Sequence, residues 1–374
     1  MRIAVNTRLL LSGHLDGIGW FTYETLRRIV QAHPEHEFIF LFDRKPSSEF
    51  LFADNVKPVV LFPQARHPLL WYLFFEWSVP YAVRKYKCDL FVSPDGWMPL
   101  HLKVPTLTVI HDLNFEHSDG NLRLSHQIYM KHYFPQFAKR ATRVATVSQF
   151  SKNDICATYS IPEDKIDVVY DGAHDIYRPL GEEADARTRE QYTGGVPYFI
   201  FISTILKRKN LANLLLAFDS FKKKENMPYK LVVVGRRVWW QDELREAYNS
   251  MQHASDVVFV EHVGAQELLR LLSAATALAY VSKFEGFGIP IMESFHADTP
   301  VITSNVTSMP EVAGDAAWLV DPASVEQITQ ALCTLATQPA VCQDLIERGR
   351  ARRELFSWDK TADLLWKSMQ KTLS

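Results

Sequence analysis

Short apolar runs recur along the whole chain, and most are followed by a stretch whose apolar residues have helical spacing. Such runs, rich in Val, Ile and Phe, are typical of buried strands. In the first half we predict strands at residues 2–5, 38–42, 58–62, 89–93, 106–110, 143–147 and 166–170. In the second half we predict them at residues 198–203, 230–235, 257–260, 277–282, 300–303 and 317–320.

Helical patterns separate these strands, for example at residues 20–32, 210–224 and 266–275. Continuous apolar strands that alternate with helices predict parallel sheets covered by helices on both faces. Two such series predict an α/β protein with two doubly wound domains. Ligands of such sheets bind beyond the carboxyl ends of the strands, so the loops that follow strands are where we expect the chemistry.

The segment 179–197 is polar, contains Gly and Pro, and has no periodic pattern, so we predict a linker there. This boundary gives an N-terminal domain at 1–190 and a C-terminal domain at 197–356. The chain has 374 residues, and this length favours two domains because single cores seldom grow beyond about 250–300 residues.

Composition excludes several classes of protein. Hydrophobic residues make up 47% and charged residues 22%, the balance of a soluble globular protein. A net charge of −2 argues against a nucleic-acid partner. The four cysteines form no CxxC pair, so we predict free thiols and neither a zinc site nor disulfides. The chain begins almost at once with a predicted strand, and no segment reaches the ~20 apolar residues of a membrane span, so we expect a cytoplasmic protein.

The stretch FEGFGIPIMESF at 284–295 carries the strongest chemical signal. Pro290 suits the first turn of a helix, where its missing N–H has no partner to lose. Gly286 and Gly288 let the backbone approach a ligand directly before that turn. The free N–H groups at a helix N-terminus bind anions, so the stretch predicts a phosphate site.

Two carboxylates flank this predicted site. Glu285 lies on the loop, and Glu293 lies about one turn into the helix. A carboxylate at each end of a phosphate-binding turn suits a nucleotide sugar, one for the sugar and one for the ribose hydroxyls. The alternative is a plain strand–turn–helix whose glutamate complements the helix dipole.

FEGFGIPIMES, with ADTPVITSNVTSMPEVAGDAAWLVDP at 297–322, resembles the retaining glycosyltransferases of family four, which have the GT-B fold. Glu285 and Glu293 meet the family's E-x7-E signature. The resemblance covers most of the chain and is strongest from 198 to 322. It implies two Rossmann-like domains that face each other across a cleft and a nucleotide-diphosphate sugar as donor. The donor-binding residues that it implies in this stretch are Gly286, Phe287, Gly288, Ile289 and Glu293.

The segment FISTILKRKN at 201–210 resembles the family's basic element after the first strand of the C-terminal domain. Arg208 and Lys209 match the cations that hold the donor diphosphate, with Lys207 in reserve. The sequence departs from the family at 203–204, where serine and threonine replace the common glycine and arginine. The alternative is a solvated basic turn before a helix.

In the first half, DGIGWFTYETL at 16–26 resembles the family's glycine loop, which approaches the donor phosphate and the acceptor. Gly17 and Gly19 would then bind the donor, although a simple turn is the alternative. His111 ends the predicted strand at 106–110, and the family's matching histidine binds the donor sugar near its 6-hydroxyl. The alternative is a histidine that merely satisfies a strand end.

Three further segments could contribute to the structure or to the site. Ser148 and Ser151 are typical helix caps, with donor contact as the family-based alternative. The aromatic segment 67–87 ends in basic residues and favours a buried helix, but it could also rest on a membrane and admit a lipid-linked acceptor. The end of the chain resembles the family's terminal helix, so residues 357–374 should join the first domain.

The resemblance implies transfer of a hexose from a nucleotide-diphosphate sugar to a hydroxyl of a glycan or lipid-linked acceptor, with retention, in cell-surface polysaccharide synthesis. The chain resembles bacterial polysaccharide mannosyltransferases, so GDP-mannose is the first candidate donor and a UDP-hexose such as UDP-glucose the second. His111, Glu285, Lys209 and Arg208 would carry catalysis. A nucleotide-sugar epimerase of the same fold and a non-catalytic nucleotide-sugar-binding protein are the alternatives.

We expect neither a metal nor a cofactor in the reaction. No DxD pair of carboxylates follows a predicted strand. GT-B enzymes stabilise the leaving diphosphate with cations and helix dipoles. The expected location is cytoplasmic, with contact at the inner face of the membrane left open.

Overall fold

The computed structural model describes residues 1–117, 124–236, 243–261 and 263–374. The chain divides into two compact units. Unit 1 contains Met1–Gly172 together with Trp358–Ser374, and unit 2 contains Ala173–Ser357.

A seven-stranded sheet forms the centre of unit 1. Its strands are β1 (Arg2–Asn6), β2 (Glu37–Phe42), β3 (Val56–Val60), β4 (Leu90–Ser93), β5 (Thr106–Val109), β6 (Arg143–Thr146) and β7 (Ile166–Val168). All neighbours are parallel, in the order β3-β2-β1-β4-β5-β6-β7. Four consecutive residues of β2, from 38 to 41, are 0% exposed, so both faces of the sheet are covered.

The helices of unit 1 are α1 (Gly17–Ala32), α2 (Pro68–Leu73), α3 (Val79–Lys85), α4 (Asn114–His117), α5 (Leu124–Arg140), α6 (Gln149–Tyr159) and α15 (Trp358–Leu373). A π-helical turn, Phe74–Ser78, joins α2 to α3. The terminal helix α15 is held within unit 1, since Asp359 pairs with Arg28 at 2.5 Å and the Thr361 hydroxyl donates to the Tyr170 carbonyl at 2.7 Å.

Unit 2 has a six-stranded sheet of β8 (Tyr198–Ile202), β9 (Lys230–Val234), β10 (Val257–Val260), β11 (Ala277–Tyr280), β12 (Val301–Ser304) and β13 (Trp318–Val320). The strands are parallel, in the order β10-β9-β8-β11-β12-β13. Its helices are α7 (Glu182–Thr193), α8 (Leu211–Glu225), α9 (Glu243–Ser250), α10 (Ala265–Ser273), α11 (Ile289–His296), α12 (Met309–Ala313), α13 (Val325–Thr337) and α14 (Pro339–Arg353).

The prediction of two doubly wound parallel sheets is confirmed. Every predicted strand is present, and the ends differ by at most two residues. The helices predicted at 20–32, 210–224 and 266–275 are also present as α1, α8 and α10.

The prediction of a linker at 179–197 was wrong, because this segment contains α7 and belongs to unit 2. The division between the units lies at 172/173, whereas the sequence placed the boundary at 190–197. Polar contacts hold α7 on α10: the Ser273 hydroxyl donates to Asp185 at 2.8 Å, and Arg189 donates to the Ala274 carbonyl at 3.2 Å. A search for apolar periodicity misses such a helix, since its buried residues are threonines.

The aromatic segment 67–87 forms α2, the π turn and α3. One side is buried in unit 1, as the core interpretation predicted, while several large apolar side chains on the other side are exposed. Among the described residues, no helix has both the length and the apolar character that a bilayer span requires.

Candidate functional site

In unit 2 the strand order reverses between β8 and β11, which is where ligands bind in open α/β sheets. The loop after β8 forms a short 3-10 turn, Lys207–Lys209. The loop after β11 meets this turn, because the amide of Lys283 donates to the carbonyl of Arg208 at 2.8 Å. Two loops that lie far apart in the sequence therefore build one site.

Glu285 lies at the centre of this site and is 6% exposed. Its Oε2 accepts from Arg208 Nη1 at 2.8 Å, and its Oε1 accepts from Lys209 Nζ at 2.5 Å. Arg208 Nη1 also donates to the Phe284 carbonyl at 2.9 Å. Lys209 is 8% exposed, and its Nζ lies 3.1 Å from the Tyr280 hydroxyl. We call Arg208, Lys209 and Glu285 the cation–carboxylate cluster.

The charges of this cluster do not cancel. Burial by itself raises the pKa of Glu285, but the charges and hydrogen bonds of Arg208 and Lys209 outweigh it and lower the pKa to about 2. Glu285 is therefore ionised at neutral pH. Two cations and one carboxylate leave a net charge of +1 in a largely desolvated position, which favours an anionic ligand.

The turn 285–289 contains four of the predicted donor-binding residues, namely Gly286, Phe287, Gly288 and Ile289. Gly288 precedes α11 with φ of 108°, a conformation that favours glycine. The Ser308 hydroxyl lies 2.9 Å from the carbonyl of Glu285 and 3.0 Å from that of Phe287, and so anchors the turn. The turn brings the N-terminus of α11 next to Glu285.

Glu293 lies in α11 and is partly buried. Loss of hydration raises its pKa to about 7, although a hydrogen bond from the Tyr177 hydroxyl acts in the opposite direction. The two signature glutamates thus have opposite electrostatics: Glu285 is a fixed anion, and Glu293 titrates near neutrality. Such separation of two carboxyl pKa values is typical of functional sites.

Gly235 and Asn210 were not predicted from the sequence as parts of the site. Gly235 directly follows β9 with φ of 146°, and a Cβ there would lie 1.9 Å from the carbonyl oxygen of Ser203. The glycine thus allows two loop backbones to approach at the edge of the site. Asn210 donates to the Val281 carbonyl at 3.0 Å and ties the basic turn to the end of β11. A glycine ending the apolar run KLVVV was the available signal.

The reserve cation Lys207 lies outside the cluster. Its Nζ pairs with Glu243 at 2.8 Å, and both side chains are about half exposed, at 48% and 55%. The alternative of a solvated basic turn thus describes Lys207, whereas it does not describe the buried Lys209.

In unit 1, His111 follows β5 at the carboxyl edge of the sheet. Its Nε2 lies 2.8 Å from the Pro94 carbonyl, and its ring meets the edge of Phe21 at 4.9 Å. Burial lowers the pKa of His111, so the ring is neutral at pH 7. A carbonyl oxygen can only accept, which places the proton on Nε2 and leaves Nδ1 as an acceptor.

The predicted glycine loop opens α1 beside this histidine. The side chain of Asp16 accepts from the amide of Gly19 at 3.0 Å and caps the helix. Gly19 is buried against Leu15, whereas Gly17 is exposed and has open space around it. The negative charge of Asp16 acts to raise the pKa of His111, against the larger effect of burial. The loop and the histidine therefore lie at one edge of the sheet.

A buried ion pair, also missed, lies where the strand order of unit 1 reverses, between β1 and β4. Arg8 Nε donates to Asp95 at 2.6 Å, and the side chains of Arg8 and Asp95 are 10% and 4% exposed. The guanidinium carbon lies 5.2 Å from the ring centre of Trp97 and 5.8 Å from that of Phe75. Asn6, at the end of β1, donates to Asp95 at 2.8 Å. Arg8 was missed because an isolated arginine in a loop usually lies at the surface.

Ser148 caps α6, as predicted, since its hydroxyl accepts from the Ser151 amide at 3.0 Å. Among the described residues, no group of three or more His, Cys, Asp or Glu side chains could hold a metal ion.

Two family models match the chain. The model of Glycosyltransferase Family 4 matches residues 15–175, and the model of Glycosyl transferases group 1 matches residues 183–352.

Several curated proteins are similar over long stretches. The O-antigen chain mannosyltransferase B of Escherichia coli is 28% identical over 363 residues, which cover 92% of this chain and 93% of that protein. The O-antigen chain mannosyltransferase RfbU of Salmonella typhimurium is 29% identical over 257 residues, or 68% of this chain and 67% of that protein.

Solved structures share the fold. Anabaena HepE in complex with UDP-glucose has a TM-score of 0.76 at 16% identity, with 99% of this chain and 100% of that one covered. WaaG, a glycosyltransferase involved in lipopolysaccharide biosynthesis, has a TM-score of 0.70 at 15% identity, with 96% and 97% covered.

Proposed function

Because the chain belongs to the family-four glycosyltransferases of the GT-B fold, we propose that it transfers a hexose from a nucleotide-diphosphate sugar to a hydroxyl of a glycan or lipid-linked acceptor, with retention of configuration. Mannose is the sugar we propose, since two of the similar curated proteins are O-antigen mannosyltransferases. GDP-mannose is accordingly the first candidate donor, and a UDP-hexose is the second.

The observation that carries this proposal is the cation–carboxylate cluster beside the N-terminus of α11. A nucleotide-diphosphate is an anion, and the cluster offers a net positive charge next to a helix N-terminus. Arg208 and Lys209 would stabilise the charge that develops on the diphosphate as it leaves. Preorganised cations of this kind act without a cost of reorganisation during the reaction.

In the proposed step, the bond between sugar C1 and the diphosphate oxygen breaks, and the electron pair stays with the diphosphate. The acceptor oxygen bonds to C1 on the same face, and its proton passes to the leaving diphosphate. The geometry of Glu285 supports this front-face route over a covalent intermediate, because both carboxylate oxygens are already bonded to cations. Glu285 would orient the cations and the sugar.

The remaining site residues have supporting roles in the proposal. Glu293 would accept hydrogen bonds from the ribose hydroxyls, in place of or beside that from Tyr177. The Nδ1 atom of His111 would accept a hydrogen bond from a sugar hydroxyl, because the Nε2 proton is already donated to the Pro94 carbonyl. Gly17 and Gly19 would let the donor approach the start of α1.

We propose that the reaction needs no metal, because the sequence has no DxD pair after a strand and the cluster already supplies the positive charge. The test is an assay in excess EDTA. Full activity is expected, and loss of activity that manganese or magnesium restores would contradict this part of the proposal.

The decisive experiment is a thermal-shift comparison of GDP, UDP, GDP-mannose and UDP-glucose. A ligand at 100 times its dissociation constant adds about 2.7 kcal/mol to the free energy of unfolding. GDP compounds should stabilise the protein more than UDP compounds, and the Arg208→Ala/Lys209→Ala variant should lose the shift. If no nucleotide diphosphate shifts the wild type, the donor site is wrong. NMR of the product's anomeric proton then tests retention.

A further inference from the structure

The segment α2–π turn–α3 presents two different faces. Its inner face packs into the core of unit 1 through Trp71, Phe74, Phe75 and Val79, which are at most 8% exposed. Its outer face carries large apolar side chains in water: Leu69 is 63% exposed, Tyr72 38%, Leu73 37%, Trp77 68% and Tyr81 57%. We call these five residues the outer stripe. Isolated apolar residues are common on surfaces, but five on one short segment are not.

Four of the five residues of the outer stripe have a regular spacing. Leu69, Leu73, Trp77 and Tyr81 follow one another at intervals of four residues, and Lys85 continues the series. Helical residues four apart lie on the same side, so the stripe runs along the segment. Phe62, which is 73% exposed, lies beside it, because the Ser78 hydroxyl donates to the Phe62 carbonyl.

Positive charge lies at the end of the outer stripe, where Lys85 Nζ is 5.7 Å from the centre of the Tyr81 ring. Residues 62–87 contain four cations, Arg66, Arg84, Lys85 and Lys87, all of them exposed. The one acidic residue of this range is Glu76, which is partly buried and accepts the Leu100 amide at 2.8 Å. Four cations less one acid give +3 in a chain whose net charge is −2, so the remaining residues sum to −5. This region is therefore more basic than the chain as a whole.

We propose that the outer stripe docks on the surface of an anionic lipid bilayer, with Trp77 and Tyr81 at the headgroup level. An apolar face with Trp and Tyr, bordered by Lys and Arg, is the pattern of segments that lie in a membrane interface. Charge complementarity selects this occupant. A second copy of the chain would bring two identical basic borders together across a twofold axis, and the like charges would repel.

This docking surface also deepens the proposed function, and on that point it rests on it. The ring of Phe75, on the inner face of the same segment, packs 5.8 Å from the Arg8 guanidinium at the end of β1. The outer stripe thus lies on one side of the segment α2–π turn–α3, and the opposite side of that segment contacts Arg8 at the carboxyl edge of the unit 1 sheet. A lipid-linked acceptor held in the bilayer would have a short path to that edge.

The test is flotation of the full chain with vesicles of phosphatidylglycerol and phosphatidylcholine, against vesicles of phosphatidylcholine alone. The wild type should float with the anionic vesicles, and salt should weaken the binding. Arg84→Gln/Lys85→Gln should weaken it about 25-fold, or about fivefold per charge. Trp77→Ser/Tyr81→Ser should weaken it about tenfold or more. Leu355→Ser and Arg187→Gln, exposed positions in unit 2, are the matched controls and should bind as the wild type does.

Absence of wild-type binding to anionic vesicles would overturn the proposal. Unchanged binding by both the Arg84→Gln/Lys85→Gln and the Trp77→Ser/Tyr81→Ser variants would overturn it as well. Light scattering adds a second criterion: a dimer that Trp77→Ser/Tyr81→Ser abolishes would assign the surface to self-association. The nucleotide thermal shift separates this inference from the proposed function. Vesicle binding without any nucleotide shift would refute the donor site alone, and the reverse result would refute the docking surface alone.

Discussion

Both units place a buried ion cluster where their strand order reverses, yet the two clusters differ in charge. In unit 1 one arginine pairs with one aspartate, Arg8 with Asp95, and the pair is neutral. In unit 2 two cations share one carboxylate, and the net charge is +1. The surroundings of the two clusters also differ. Aromatic rings pack against the cluster of unit 1, and a glycine turn with a helix N-terminus borders the cluster of unit 2.

The fold of each unit determines where a site can form, and the side chains determine its chemistry. Both units have a parallel sheet with a possible ligand site where the strand order reverses. In unit 2 alone, the cluster at this position has one cation in excess, and that charge attracts an anion such as a diphosphate. The buried pair of unit 1 has no net charge and packs against aromatic rings, so this edge lacks the attraction for an anion that the edge of unit 2 has.

The largest expected effect concerns the neutral pair. Asp95→Ala leaves the Arg8 cation buried without its partner, and should lower the free energy of unfolding by about 3–5 kcal/mol. Urea denaturation of the full chain measures this. Asp359→Ala is the matched control, because Asp359 also pairs with an arginine but is 85% exposed, and should cost about 1 kcal/mol or less. Equal losses in the two variants would show that the Arg8 pair is not structural.

The next largest effect concerns turnover. Glu285→Gln keeps the shape of the side chain but removes the charge that orients Arg208 and Lys209, and should lower kcat by about 10²–10³. Glu293→Gln should instead raise KM for the donor. Steady-state kinetics with the donor found by thermal shift separates the two.

The front-face route can be tested with the wild-type protein. Intact-protein mass spectrometry with a fluorinated donor should show no sugar on Glu285. A covalent adduct at that residue would contradict the role we propose for it.

Removal of single cations should have a smaller effect. Lys209→Ala and Arg208→Ala each delete a charge-assisted contact to the diphosphate, and should weaken donor binding by about 10- to 100-fold, with Lys209 the stronger. Lys207→Ala is the control, since Lys207 is paired with Glu243 in solvent, and should change affinity by no more than about threefold. Isothermal titration with the nucleotide diphosphate measures all three. A double variant that binds as tightly as the wild type would refute the phosphate site.

The smallest effect is a pH dependence of stability. The pKa of Glu293 is about 7 in the folded state and 4.5 as an unperturbed group, so the folded state binds the proton more tightly. Stability from this group is complete below pH 4.5 and is lost as the pH rises to 7. Relative to Glu293→Gln, the wild type should lose about 1–2 kcal/mol over this window, a value reduced for partial exposure. Parallel curves would show that Glu293 is not desolvated.

Glu285 should give the opposite dependence. Its pKa is lowered to about 2, so its contribution to stability is complete above pH 4.5 and is lost as the pH falls towards 2.

The fold was largely predictable, because each buried parallel strand leaves a continuous apolar run, such as 38–42 or 277–282. The helix α7 was not, because its buried contacts are made by polar side chains. The sequence indicated Arg208, Lys209 and Glu285 as separate contacts to diphosphate and sugar. Their mutual pairing was hidden, since it depends on β8 and β11 being neighbours in the sheet.

Gly235 shows how narrow the choice of residue at one position can be. A Cβ 1.9 Å from the Ser203 carbonyl oxygen is impossible without displacing the backbone, and φ of 146° is unfavourable for every other L-residue. In a saturation library, all nineteen alternatives at 235 should therefore be depleted to a similar degree, whatever their size or polarity. Gly264, which has open space where a Cβ would lie and no positive φ, should instead accept alanine. The mutational spectrum of this enzyme is thus set at some positions by a single atom.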